Sequence, residues 1–261
     1  MRPTFYGHYK PLLAAMVYEK TPQTAKATMR NAIYDGADAF CVDLNVLEAK
    51  YHNEESLKSI FGVAQNKPIY SYFYRRTLPE GTDDEALADM CRLSIRSGST
   101  LCDVIGDMYQ KGAPDQLATD PAAVEKQKRL IDEIHSMGGE VLMSSHVFRF
   151  FTMEETLCHA REMDARGADV IKIVVSANSR EEEEEVFRTT MALRNTLKKP
   201  FMHLCMGKYG KVHRALTPVF GSCMTLCVQY YNEYSVFDQP LLRATRAVYD
   251  NIDFDRGDTA K

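Results

Sequence analysis

The chain lacks any apolar run approaching the roughly 20 residues of a membrane-spanning helix. Its start, MRPTFYGHYKPLLAAMVYEK, has neither the long apolar core nor the small-residue cleavage site of a secretory signal. A cytoplasmic protein without membrane contact is expected. Positive charge is not in excess: the net charge is −4, which offers no broad basic footprint for nucleic acid and leaves any anionic ligand to local arginines. Cysteine pairing is missing too. Cys41, Cys91, Cys102, Cys158, Cys205, Cys223 and Cys227 are odd in number and scattered, without the spacing of a zinc site or a disulfide framework. They read mostly as buried thiols acting as small apolar side chains. No Gly-x-Gly-x-x-Gly turn follows the first apolar run, which argues against a dinucleotide-binding open sheet, the runner-up architecture.

What is present is a strict alternation. PLLAAMVY precedes TPQTAKATMRNAIYDG, in which Thr21 can cap a helix, Pro22 suits its first turn and Gly36 closes it. AFCVDL, PIYSYFY, LCDVIG, EVLMSSHVF, VIKIVV, PFMHLCMG and CMTLCVQ each precede a polar segment of helical period. Eight strand-then-helix units without a linker predict one α/β domain over 1–261, a closed (β/α)8 barrel with a loose tail from about 254. The acidic block REEEEEVF is the solvated start of a helix, where carboxylates suit the dipole.

One residue breaks the apolar pattern. Within GADVIKIVVSAN, period-two alternation puts Val170, Lys172 and Val174 on one face of the sixth strand, and that face points into the barrel. A buried carboxylate could neutralise Lys172, or a shift of register could leave it facing water. Alternatively, burial and nearby cations lower its ordinary pKa of about 10.4, so that the amine attacks a carbonyl and forms a Schiff base. Such chemistry needs a proton carrier, and His146 ends the neighbouring fifth strand on the same face as Ser144. Arg76, ending the third strand, and Arg214, after the seventh, can meet an anionic substrate with a guanidinium fork. Glu80, four residues after Arg76, can orient His146.

Taken in order, YRRTLPEG, CDV, MSSHVF, ADVIKIVV and MGKYGKVHRALTPVFGS resemble the type I 3-dehydroquinate dehydratases, Schiff-base enzymes of the shikimate pathway. The resemblance implies an imine between Lys172 and a substrate ketone, with His146 removing the α-proton and assisting departure of the β-hydroxyl. It implies that Glu80 and Asp103 support His146, Arg214 binds the substrate carboxylate, Arg76 contacts the substrate and Met206 lines the pocket. It further implies no metal or organic cofactor, an anionic hydroxy keto acid as ligand, and a homodimer. The chain also departs from the family. Where the family's second strand carries Glu-x-Arg-x-Asp, this one reads Cys41, Asp43 and Asn45, so an anion stands in the place of a cation. The family's Asp-x-Glu on strand four becomes Asp103, Val104, Ile105, and its Ser-Ala-Pro-Gly-Gln loop after strand eight becomes QYYNEYSVFDQP. Three functions therefore stand: dehydration of 3-dehydroquinate, imine-based dehydration or lysis of another hydroxylated keto acid, and ligand binding without turnover.

Overall fold

The computed structural model describes residues 3–8, 10–252 and 254. Eight strands, β1 (Leu12–Val17), β2 (Ala39–Asp43), β3 (Ile69–Tyr72), β4 (Leu101–Ile105), β5 (Glu140–His146), β6 (Val170–Ser176), β7 (Phe201–Met206) and β8 (Met224–Cys227), alternate with eight helices. These are α1 (Pro22–Tyr34), α2 (Glu54–Phe61), α3 (Glu85–Arg96), α4 (Pro121–Ser136), α5 (Met153–Ala165), α6 (Arg180–Thr196), α7 (Gly210–Leu216) and α8 (Leu242–Tyr249). The strands pair in parallel in the order β7-β6-β5-β4-β3-β2-β1-β8. Between β7 and β8, the Cys223 amide donates to the Phe201 carbonyl at 2.8 Å and the His203 amide to Ser222 Oγ at 3.1 Å. The sheet is thus a nearly closed barrel in one domain. No helix among the described residues is long and apolar enough to cross a membrane.

Local chemistry starts the helices where the sequence places them. Thr21 accepts from the Thr24 amide ahead of Pro22, and Asp120 accepts from the Ala123 amide ahead of Pro121. Thr152 and Glu155 satisfy each other's backbone reciprocally at the start of α5, while Glu181, Glu182 and Glu183 occupy the first turn of α6. The tail expected to be loose lies outside the described residues, except for Phe254. That residue is a correction: it is buried and packs on Tyr249, with ring centroids 5.5 Å apart.

Alternation along the strands separates two apolar layers. Ile171, Ile173 and Val175 face the helices, whereas Val170 and Val174 join Leu12, Ala14, Tyr70, Leu142 and Met202 inside the barrel. On that inner face the residues become polar toward the strands' C-terminal ends: Asp43, Asp103, Ser144, His146 and Lys172. Chemistry therefore gathers at the end where the βα loops begin.

The outer layer holds histidines without acidic partners. His203 shares a hydrogen bond of 2.9 Å with Thr190 Oγ1, and His159 one of 2.8 Å with Ser145 Oγ. Burial lowers their pKa values to about 3 and about 4. Unfolded, each titrates near the usual 6.5, so the unfolded chain binds more protons below that pH, and stability falls as pH drops from 6.5 toward 3. Between pH 7 and pH 5, His203 alone costs about 2 kcal/mol. Urea titrations at the two pH values are expected to show a smaller acid loss for His203→Gln than for the unaltered chain; equal losses would refute this origin.

Candidate active site

Lys172 is 5% exposed on the inner face of β6. Its Nζ donates to Tyr74 Oη at 3.2 Å and to Tyr70 Oη at 3.4 Å, and lies 4.0 Å from Asp103 Oδ2. The rings of Tyr70, Tyr72 and Tyr74 surround the nitrogen, with centroids at 5.7, 5.9 and 5.8 Å. A carboxylate is therefore near, yet not in contact. Burial lowers the Lys172 pKa and the Arg214 charge adds to the effect, against the opposing pull of Asp103, Cys41 and Asp43. The net direction is toward the neutral amine.

His146 ends β5 with its ring edge-on to Tyr74, centroids 5.5 Å apart. Gln116 Oε1 accepts from the His146 amide at 2.7 Å and lies 3.0 Å from Nδ1. Because one oxygen serves both contacts, Nδ1 carries the proton and Nε2 keeps a free lone pair. Burial, then the charges of Lys172 and Arg214, hold the imidazole well below its usual pKa. It is a neutral base at neutral pH. Beside it opens a cleft of about 430 Å³ lined by Gln116, Phe148 and Arg149 among others.

The support for His146 differs from expectation. Glu80 is exposed in the loop after β3, and Gln116 from the β4–α4 loop takes the place assigned to it. Asp103 does not support His146 either: its Oδ1 accepts from Ser144 Oγ at 2.6 Å, and its Oδ2 from Tyr70 and from Tyr74 at 2.6 Å. The buried lysine draws this carboxylate, and the hydroxyls fill its lone pairs. Asp115, Gln116 and Phe148 hold left-handed backbones, φ 51°, 53° and 31°, so non-glycine strain collects around the histidine. A Cβ on Gly106 would stand 2.5 Å from the Gln116 carbonyl oxygen. Gly106→Ala is expected to shift this loop and cost about 1–3 kcal/mol in urea unfolding. An unchanged midpoint would refute the close approach.

Arg76 is half exposed and ion-paired with Asp43, which also accepts from Tyr72 Oη at 2.8 Å and the Asn45 amide at 2.8 Å. Burial nevertheless pushes the Asp43 carboxyl above its usual value. Arg76 is thus committed to the wall of the site. Arg214 is not: it is buried on α7, its Nε donates to the Cys205 carbonyl at 2.9 Å, and no carboxylate pairs with it among the described residues. Cys41 lies inside the barrel as a thiol whose pKa burial pushes well up, and Met206 packs on the inner apolar layer from the end of β7.

Sequence reasoning passed over the tyrosines, although YSYFY places Tyr70, Tyr72 and Tyr74 on one face by simple alternation. It also missed the cover. In the β8–α8 loop Gln239 exchanges hydrogen bonds with Tyr18 Oη at 3.0 and 3.1 Å, Asn232 donates to the Tyr18 carbonyl, and Asp238 accepts from the Gly207 amide. That loop ties β1 to β7 across the mouth.

The sequence profile described as type I 3-dehydroquinase matches residues 13–252. The chain belongs to the type I 3-dehydroquinase family. Among curated relatives in that family, a 3-dehydroquinate dehydratase of Klebsiella pneumoniae subsp. pneumoniae is 31% identical over 176 residues, 65% of this chain and 64% of that protein. This match spans a little under two thirds of the relative's length. A 3-dehydroquinate dehydratase of Methanosarcina acetivorans is 26% identical over 218 residues, 83% of this chain and 84% of that one. The fold is shared with solved family members at lower identity. The 3-dehydroquinate dehydratase of Geobacillus kaustophilus has a TM-score of 0.77 at 18% identity, with 92% and 90% of the two chains covered. The type I enzyme of Clostridium difficile, solved with covalently modified comenic acid, has a TM-score of 0.76 at 16% identity, with 94% and 93% covered.

Proposed function

We propose that this chain is a hydro-lyase that converts 3-dehydroquinate to 3-dehydroshikimate through an imine on Lys172. The observation that carries the reading is a buried lysine with a depressed pKa on the same inner face as a neutral histidine, beside an arginine that pairs with no carboxylate among the described residues.

In this mechanism Arg214 takes the substrate carboxylate and turns the ketone toward Lys172. The ammonium gives up a proton, the amine adds to the carbonyl carbon, and the carbonyl oxygen leaves as water carrying that proton and a second one from nitrogen, giving a protonated imine. His146 Nε2 removes the α-proton, and the C–H electrons move toward the imine nitrogen to form an enamine. The enamine expels the β-hydroxyl, which recovers the proton from His146 and departs as water. Hydrolysis then returns the amine of Lys172 and releases the enone. The imine supplies the electron sink, so the scheme calls on no metal or organic cofactor.

Mixing the protein with 3-dehydroquinate and following enone absorbance tests the reading, and a folded protein that yields no enone would refute this substrate. One observation favours a second reading, the same chemistry on another hydroxylated keto acid: Arg76 is occupied by Asp43, and the loop after β8 is rich in aromatic residues. A panel of hydroxylated keto acids separates the two. Ligand binding without turnover is disfavoured, since binding alone gains nothing from a desolvated lysine next to a neutral histidine.

A further inference from the structure

We propose that Tyr74 is a further catalytic residue, a phenol that carries a proton between the Lys172 amine and the Asp103 carboxylate while the imine forms, with Tyr70 as a second route. This deepens the imine reading above and rests on it.

Geometry makes the case. Lys172 Nζ and Asp103 Oδ2 stand 4.0 Å apart, too far for a hydrogen bond. Tyr74 Oη spans the gap, accepting from Nζ at 3.2 Å and donating to Oδ2 at 2.6 Å. Tyr70 Oη makes the same two contacts, the first at 3.4 Å. Ser144 occupies the other carboxylate oxygen at 2.6 Å, which fixes Oδ2 toward the phenols. A direct ammonium–carboxylate contact would favour the charged lysine, whereas an interposed phenol leaves the carboxylate reachable by proton transfer alone. Tyr70 is fully buried, while Tyr74 is part-exposed and lies edge-on to His146, so Tyr74 faces the reacting side. The remaining groups around the lysine, Cys41 and Asp43 from β2 and Arg214 from α7, make no hydrogen bond to its nitrogen among the described residues.

The protons balance. Nζ passes one to Tyr74 Oη as the phenol's own proton moves to Asp103 Oδ2, so the phenol never ionises; burial keeps its pKa well above the usual value. The neutral amine forms the N–C bond as the carbonyl π pair moves to oxygen. A second proton shifts from nitrogen to that oxygen and gives the carbinolamine. The first proton then returns from Asp103 through Tyr74 to the hydroxyl, the C–O bond breaks, water leaves, and the nitrogen lone pair completes the protonated imine. Both lost N–H protons end in the water.

The test uses pyruvate as a small keto-acid probe, with borohydride quenching at timed intervals and mass spectrometry of the Lys172 peptide. Tyr74→Phe is expected to form the same adduct roughly 10-fold more slowly, and the Tyr70→Phe/Tyr74→Phe pair roughly 100-fold more slowly. Asp103→Asn should slow the adduct as well, and adding Tyr74→Phe to it should slow it little further, because both act on one proton path. An unaltered rate in Tyr74→Phe, or losses from Tyr74→Phe and Asp103→Asn that multiply independently, would overturn the relay. Tyr74→Phe keeps the ring and leaves Asp103 with Tyr70 and Ser144, so it decides the matter even if Asp103→Asn does not fold. Slowed pyruvate adducts in a protein inert to 3-dehydroquinate would support the relay and remove only that substrate. No Lys172 adduct on the folded, unaltered protein with either keto acid would overturn relay and imine together.

Discussion

Lys172→Ala is expected to abolish the borohydride-stable adduct with 3-dehydroquinate and to lower enone formation by about 10⁴-fold or more, the scale on which covalent catalysis collapses when its nucleophile is removed. Among the described residues no other lysine is buried. The lysine is the amine held at the inner polar end of the barrel, and its lowered pKa comes from burial there. The substitution leaves a cavity, but it does not orphan the carboxylate it deletes a partner from: Asp103 still accepts from Tyr70, Tyr74 and Ser144. The variant should therefore fold, and circular dichroism alongside the mass measurement separates lost chemistry from lost structure. A folded Lys172→Ala protein that still makes enone at the original rate would end the imine mechanism.

His146→Gln is expected to divide the reaction at a different place. The adduct on Lys172 should still form, because the amine and Arg214 are untouched. Turnover should fall by about 10²- to 10⁴-fold, the usual contribution of a positioned acid–base group. Exchange of the substrate α-proton with deuterium, followed by NMR in heavy water, should be lost with it. The pH profile of the unaltered chain bears on the same atom. Burial and the Lys172 and Arg214 charges depress the His146 pKa, so the basic form persists as pH falls, and its acid limb belongs below the ordinary 6.5. Retained α-proton exchange in His146→Gln would assign the base elsewhere.

The fold was legible because each local signal agreed with the next. Thr21 before Pro22 and Asp120 before Pro121 start helices as their types suggest, and the two-residue period of VIKIVV put Lys172 inside. Asp103 entered only through the family resemblance, as a support of His146, whereas His146 was equally legible as an inward group at a strand end. Their partners were not. Glu80 lay close to Arg76 in sequence and was given to His146 on that ground, but the contact is made by Gln116 from a loop of left-handed residues that has no periodic signature. Arg76 looked available because the carboxylate that occupies it, Asp43, lies 33 residues away on another strand. Pairing across strands is settled by register, and register is a property of the whole barrel.

The seam between β7 and β8 gives that barrel a mechanical asymmetry. Seven strand neighbours are joined by regular ladders, while this pair is held by the Phe201–Cys223 and His203–Ser222 contacts near its lower end. Above those contacts the join passes outside the sheet: Thr225 Oγ1 of β8 donates to the Arg214 carbonyl at 2.9 Å, and Asp238 of the β8–α8 loop accepts from the Gly207 amide at 3.1 Å. Met206 and Arg214 lie on one side of this seam, and Tyr18 with its Gln239 latch lies on the other. Arg214 thus sits where the barrel is closed by side chains and a loop, while the tyrosine wall around Lys172 is fixed by the β2–β3–β4 ladders. A substrate that engages Arg214 and the β8–α8 loop together would act as a rivet, fastening β7 to β8 at the end where the sheet itself does not join them.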